Sequence, residues 1–108
     1  MQIEILHIEA CPNWQEAGER VHHALSIAGM EAEPVRFRLI STAAEAEAVP
    51  FAGSPTIVVD GVDLFAGGEA ARDLACRVYV SGGRLVGLPS VNDLVVALQA
   101  RESEHAQG

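Results

Sequence analysis

Residues 3–29 read IEILHIEACPNWQEAGERVHHALSIAG, and the hydrophobic period of this stretch changes once, at Cys11-Pro12. Before that point the pattern has period two. Ile3, Ile5 and His7 share one side, while Leu6 and Ile8 make the other side apolar as well. A strand that is apolar on both faces is an inner strand, covered from both sides. After that point Trp14, Ala17 and Gly18, Val21, Leu25 and Ala28 recur at steps of three and four, which predicts a helix over residues 12–29 with one apolar face. Pro12 suits the first helical position, where a missing N–H costs nothing, and Gly29 is a natural stop. Glu16, Glu19, Arg20, His22 and His23 fall mostly on the other faces.

Working outward, residues 34–40 alternate Val35, Phe37 and Leu39 with Arg36 and Arg38, the pattern of a strand with one polar face near a sheet edge. Residues 41–49 are rich in Ala and Glu and predict a short helix capped by Ser41 or Thr42. The apolar runs 56–59 and 62–65 flank Asp60-Gly61, a strong signal for a two-residue hairpin. Gly67-Gly68 breaks the chain, residues 69–75 predict a short helix, and 77–80 with 84–86 are candidates to pair across Ser81-Gly82-Gly83. Residues 90–100 predict the last helix, with Ser90 and Asp93 as a capping pair. The order is βαβ, a short helix, a β-hairpin and a final helix. The expected fold is therefore α/β: a mixed central sheet of about four strands with flanking helices and an extra hairpin. Strands one and two are parallel by the crossover rule. Residues 1–100 form the single domain, and the polar stretch 101–108 is expected to be a disordered tail.

The whole chain agrees with one domain: it has 108 residues, of which 49% are hydrophobic. A domain of this size buries roughly 65% of the surface of its unfolded chain. With three Phe, one Tyr and one Trp, the core must be mostly aliphatic. Fifteen acids against seven bases give a net charge of −8. Such a surface repels phosphate backbones and anionic membranes, so neither nucleic acid nor membrane is an expected partner. No apolar run approaches the roughly 18 residues of a membrane span. The N-terminus lacks the basic opening and small-residue cleavage site of a signal peptide. Two cysteines are too few for a secreted disulfide scaffold, and the expected compartment is the cytoplasm.

Cys11 is the candidate for chemistry. At the N-cap of the first helix, the free N–H groups of Asn13 and Trp14 and the positive helix end would favour a thiolate, while Glu9 and the overall charge oppose it. Reactivity there needs an outward-facing sulfur beside the helix start. The plainer reading is that Cys11 is only a small capping residue. For Cys76, in Leu74-Ala75-Cys76-Arg77, the plain reading is a buried core thiol. The functional one is a partner for Cys11, which requires Cα atoms within roughly 7 Å.

Cys11-Pro12-Asn13-Trp14, after a strand and opening a helix, resembles the Cys-Pro-x-Cys motif of glutaredoxins and related thioredoxin-superfamily oxidoreductases. Ser54-Pro55-Thr56 resembles that superfamily's cis-proline segment, which stands just before the antiparallel hairpin. The order of elements is similar over nearly the whole chain. The chain is also similar to small bacterial thioredoxin-like proteins, some of which carry the name alkylmercury lyase. The resemblance implies a thioredoxin-like fold and a thiol-disulfide oxidoreductase. Cys11 would be the nucleophile, and a cis Pro55 would set the Ser54 backbone beside it, ready to pair with an extended substrate. Pro12, Trp14 and Thr56 would line the substrate site. Without the resemblance, Pro55 reads as a proline opening a strand and Trp14 as core.

The departure lies at Trp14, where the superfamily has its second cysteine. Cys11 alone can form a mixed disulfide but cannot clear it locally. Three options follow: a small thiol such as glutathione resolves it, Cys76 resolves it, or the protein binds without cycling. The partners implied are a thiol or disulfide protein, or a small thiol. The segment around Cys11 offers no cation for glutathione's carboxylates, and only Arg72 and Arg77, flanking Cys76, are candidates. A non-catalytic module for a protein partner or a soft metal is the alternative, with Hg(II) or Cu(I) held if Cys11 and Cys76 meet. An organomercurial-processing enzyme is a third reading, requiring two thiolates and a proton donor. His22 and His23 point about 100° apart on a helix and do not chelate together. No resident metal is expected. With no Ser-His-Asp pattern, phosphate-cradling loop or dinucleotide fingerprint, no cofactor is expected either.

Overall fold

The computed structural model describes residues 1–30, 32–65 and 77–107. Among the described residues nine elements follow in order: β1 (Ile3–His7), α1 (Trp14–Ile27), β2 (Val35–Leu39), α2 (Ala43–Glu47), β3 (Thr56–Val59), β4 (Val62–Asp63), β5 (Tyr79–Ser81), β6 (Arg84–Val86) and α3 (Val91–Gln107). The expected mixed sheet is present, with strand order β2-β1-β3-β4. β1 runs parallel to β2, with Ile5 beside Phe37, and antiparallel to β3, with Ile5 beside Ile57. The expected second hairpin forms as β5-β6.

The two-sided pattern of β1 becomes two cores. Ile3 and Ile5 join Ile57 and Val59 of β3, Ala17, Val21 and Leu25 of α1, and Leu94 and Leu98 of α3. Leu6 and Ile8 join Val58, Ile40, Phe51, Cys11 and Ala46 of α2. The sheet is thus the middle of three layers, and burial of each large aliphatic contributes about 2 kcal/mol. β2 is the predicted edge strand, with Phe37 and Leu39 nearly half exposed. Gly18 of α1 makes room for Phe37: a Cβ there would stand 2.5 Å from the ring's Cζ.

Local chemistry sets the ends. Asp60 and Gly61 both take positive φ, 51° and 82°, as the tight hairpin requires. Thr42 caps α2 by accepting from the Glu45 N–H at 3.1 Å. Ser90 Oγ accepts from the Asp93 N–H at 3.0 Å, and Asp93 accepts in return from the Ser90 N–H at 3.3 Å.

Four expectations on boundaries are corrected. Asn13, not Cys11, is the N-cap of α1, because the first helical bond runs from the Ala17 N–H to the Asn13 carbonyl. Pro12 therefore precedes the helix instead of opening it. β4 ends at Asp63 rather than residue 65: the Asp63 carboxylate accepts from the Phe65 N–H at 3.1 Å, and this local turn stops the strand. The last helix does not give way to a disordered tail at residue 101 but runs to Gln107. Arg101 donates to the carbonyls of Val59, at 3.3 Å, and Asp63, which ties this turn to the sheet. The helix expected over residues 69–75 lies outside the described residues. Among the described residues no helix is long and apolar enough to cross a membrane.

Candidate functional site

The site forms where the end of β1 meets the loop before β3. The Ser54-Pro55 peptide bond is cis, as the resemblance implied, and both residues are buried. This loop is held by its own polar groups. Thr56 Oγ1 donates to the Gly53 carbonyl and accepts from the Ala52 N–H at 3.0 Å. Ser54 Oγ accepts from the Ile8 N–H at 3.0 Å, which fixes the loop to the strand end.

Cys11 lies against this loop: its thiol donates to the Ser54 carbonyl, Sγ to O 3.5 Å. Cys11 and the Ser54-Pro55 backbone are therefore brought together. The same carbonyl accepts a second bond, from the Arg77 N–H at 2.9 Å. The Ser54 backbone is thus already paired with the protein's own chain, contrary to the expectation that it stands ready for a substrate. The outward-facing sulfur beside the helix start, which reactivity of the resting thiol needs, is not found. Cys11 is 0% exposed and belongs to the cluster with Leu6, Ile8 and Phe51. The chain turns at residues 9–10 and again at 12–13, so the helix starts only at Trp14 and Cys11 packs inward before it.

The other expected lining residues diverge. Pro12 is exposed, and Thr56 is fully buried and committed to the loop. Trp14 is half-buried, and its contacts lie on the α1 side of the sheet. Its indole stacks on the His7 imidazole, centroids 4.4 Å apart and 15° from parallel, and meets Phe37 edge-on at 5.5 Å. Cys76 and Arg72 lie outside the described residues.

Arg77, named above only as a candidate cation, holds the site together with two residues the sequence did not place there, Asp63 and Tyr79. Arg77 is buried. Its guanidinium pairs with Asp63 at 2.8 Å, donates to the Phe65 carbonyl at 3.1 Å and lies 4.5 Å from the centre of the Tyr79 ring. These contacts commit the buried Arg77 guanidinium to the β3-β4 hairpin rather than to the carboxylates of a small thiol. The Tyr79 hydroxyl donates to the Pro55 carbonyl, and burial pushes its ionisation far above the usual phenol range, so it remains a donor. The signal for this arrangement was faint: one arginine and one tyrosine two residues apart, leading into the second hairpin.

His7 is the remaining unusual group. It is 8% exposed, and its Nδ1 has no hydrogen-bond partner among the described residues. Burial lowers its pKa below the ordinary histidine value, so the ring is neutral near pH 7.

A separate cleft of about 350 Å³ lies between the start of α1 and the β5-β6 hairpin, lined by Asn13, Glu16, Arg20, Ser81 and Ser90 among others. Neither Cys11 nor Ser54 lines it. Among the described residues no three His, Cys, Asp or Glu side chains gather as metal ligands would. Comparison with protein-family models, with curated proteins and with solved structures found no match to the chain.

Proposed function

We propose that the chain is a thioredoxin-like thiol protein with a single-thiol site, in which Cys11 carries thiol-disulfide chemistry from a closed resting state. One observation carries this reading: the Cys11 thiol contacts the carbonyl that immediately precedes a cis-proline bond. The sheet order β2-β1-β3-β4, with the thiol after β1 and the cis-proline before β3, supports it.

Once exposed and deprotonated, the Cys11 thiolate attacks one sulfur of a partner disulfide. The partner's S–S bond breaks, and its leaving sulfur keeps the electron pair and takes a proton from water. Cys11 is then joined to the partner in a mixed disulfide. A second thiolate, from Cys76 or a small thiol, attacks the Cys11 sulfur and releases the partner as a thiol. The new disulfide on Cys11 is returned to thiols by an external small-molecule thiol, which is itself oxidised.

The experiment is incubation with glutathione disulfide, in buffer and in urea below the unfolding transition, followed by peptide-level mass spectrometry. The expected product is a mixed disulfide at Cys11, or a Cys11–Cys76 disulfide derived from it, absent from Cys11→Ser. The absence of either product when Cys11 is demonstrably open to a small alkylating agent would refute the reading.

A second reading rests on the complete burial of Cys11 and on Trp14 in place of a second thiol. It is a non-catalytic module that binds a protein partner or a soft metal through Cys11. It predicts no disulfide turnover, and binding that Cys11→Ser abolishes.

A further inference from the structure

We infer that the segment from Arg77 to Tyr79 is a built-in strap occupying the backbone edge of Ser54 and Pro55, and that Cys11 becomes accessible when this strap is released, a state that an extended peptide pairing with Ser54 would hold open. This inference rests on the proposed role of Cys11.

The strap is attached at three points. The Arg77 N–H donates to the Ser54 carbonyl at 2.9 Å, the bond an incoming extended chain would make. The Arg77 guanidinium holds Asp63 and the Phe65 carbonyl, which anchors the strap to the β3-β4 hairpin. The Tyr79 hydroxyl donates to the Pro55 carbonyl. Close approach is built into the loop. Gly53 has a φ of +107°, and a Cβ there would stand 2.8 Å from the Arg77 Cα. Only glycine lets the two backbones meet at this distance.

Cys11 and Arg77 donate to one oxygen, so the thiol and the strap share an acceptor. Both carbonyls of the Ser54-Pro55 unit are filled from within the chain. A displacing partner must supply an N–H to Ser54 O to replace the one it removes, and an extended main chain does this. The strap's attachments are three backbone carbonyls, one ion pair and, at Tyr79, the pairing with Val86 and the edge-on contact with Phe65; all are local, so its release needs no global unfolding.

The test is the rate at which iodoacetamide alkylates Cys11 in the full chain, read peptide by peptide so that Cys76 is scored separately. It is measured across urea concentrations below the unfolding transition. Local release of the strap gives a rate that depends only weakly on urea, whereas global opening gives the full slope of unfolding. Asp63→Asn and Tyr79→Phe each remove one attachment. In whichever keeps the native far-UV circular dichroism, the rate is expected to rise about tenfold, the factor that loss of a hydrogen bond of this kind corresponds to. Alkylation that follows global unfolding in wild type and in every folded variant overturns the strap, as does an unprotected Cys11 in wild type. Faster alkylation without any disulfide product at Cys11 leaves the strap standing and removes the redox reading. Disulfide exchange at a Cys11 that neither variant accelerates does the reverse.

Discussion

The imidazole of His7 lies flat against the indole of Trp14, with ring centres 4.4 Å apart and planes 15° from parallel. One ring comes from the last residue of β1 and the other from the first residue of α1, so the stack clamps the junction that carries Cys11.

Protonation of His7 is expected to weaken this clamp. Burial lowers the folded-state pKa below the unfolded value of 6.5. Above that value both states hold His7 neutral, and it makes no pH-dependent difference. As pH falls through it, the unfolded chain binds a proton that the folded chain refuses, so stability declines until the folded His7 also titrates. Trp14 is the single tryptophan, and its fluorescence reports the ring beside it. A fluorescence titration of the folded protein is expected to show quenching with a midpoint below 6.5, and His7→Phe to abolish it. A midpoint at or above the ordinary value, or one that persists in His7→Phe, contradicts the stack.

Gly18 and Phe37 form a second coupled pair. In an exposed helix, Gly→Ala stabilises by about 1 kcal/mol. Here the new methyl would stand 2.5 Å from Phe37 Cζ, so the ring must leave its place against Trp14. Gly18→Ala is therefore expected to destabilise the wild type by about 1 kcal/mol, within the range of overpacking costs. In a Phe37→Ala background the same change is expected to stabilise by about 1 kcal/mol, the helix propensity gain alone. Urea unfolding of the four proteins measures the cycle, and an unchanged sign in the two backgrounds would show that the ring is not the obstacle.

Asp93 links the second hairpin to α3. Its carboxylate accepts from Ser81 Oγ at 2.7 Å and from the Ser90 N–H. Those bonds, Ser81's first, hold its pKa below the ordinary 3.8. A depressed carboxyl contributes stability that is present above the unfolded value and lost as pH falls through the folded one. Acid unfolding is therefore expected to steepen below about pH 4, and Asp93→Asn to flatten that part of the curve. Asp93→Ala also removes the reciprocal bond of the cap and is expected to cost about 1 kcal/mol at pH 7. Equal acid profiles for wild type and Asp93→Asn would count against this account.

Much of the architecture was legible because it follows from local rules. The period of β1 announced an inner strand, Asp60-Gly61 a tight hairpin, and Ser90 with Asp93 a helix start. Each of these is decided by neighbours a few residues away. The ends of β4 and α3 were misread because their determinants are an Asp63 turn and an Arg101 clasp onto the carbonyl of Val59, a residue 42 positions earlier.

At the site the division is sharper. Sequence alone determined that a thiol follows β1 and that a Ser-Pro bond precedes β3, since both are matters of order along the chain. Tertiary structure alone decided that the sulfur faces inward and that Arg77 fills the Ser54 carbonyl. A period specifies which side of a regular element is apolar, but it is silent about residues 11–13, where the backbone leaves the strand and has not yet entered the helix. The Arg77 contact closes a loop of more than twenty residues back onto Ser54. Which donor arrives there depends on how the β3-β4 hairpin, Asp63 and Tyr79 pack together, and no spacing in the chain encodes that.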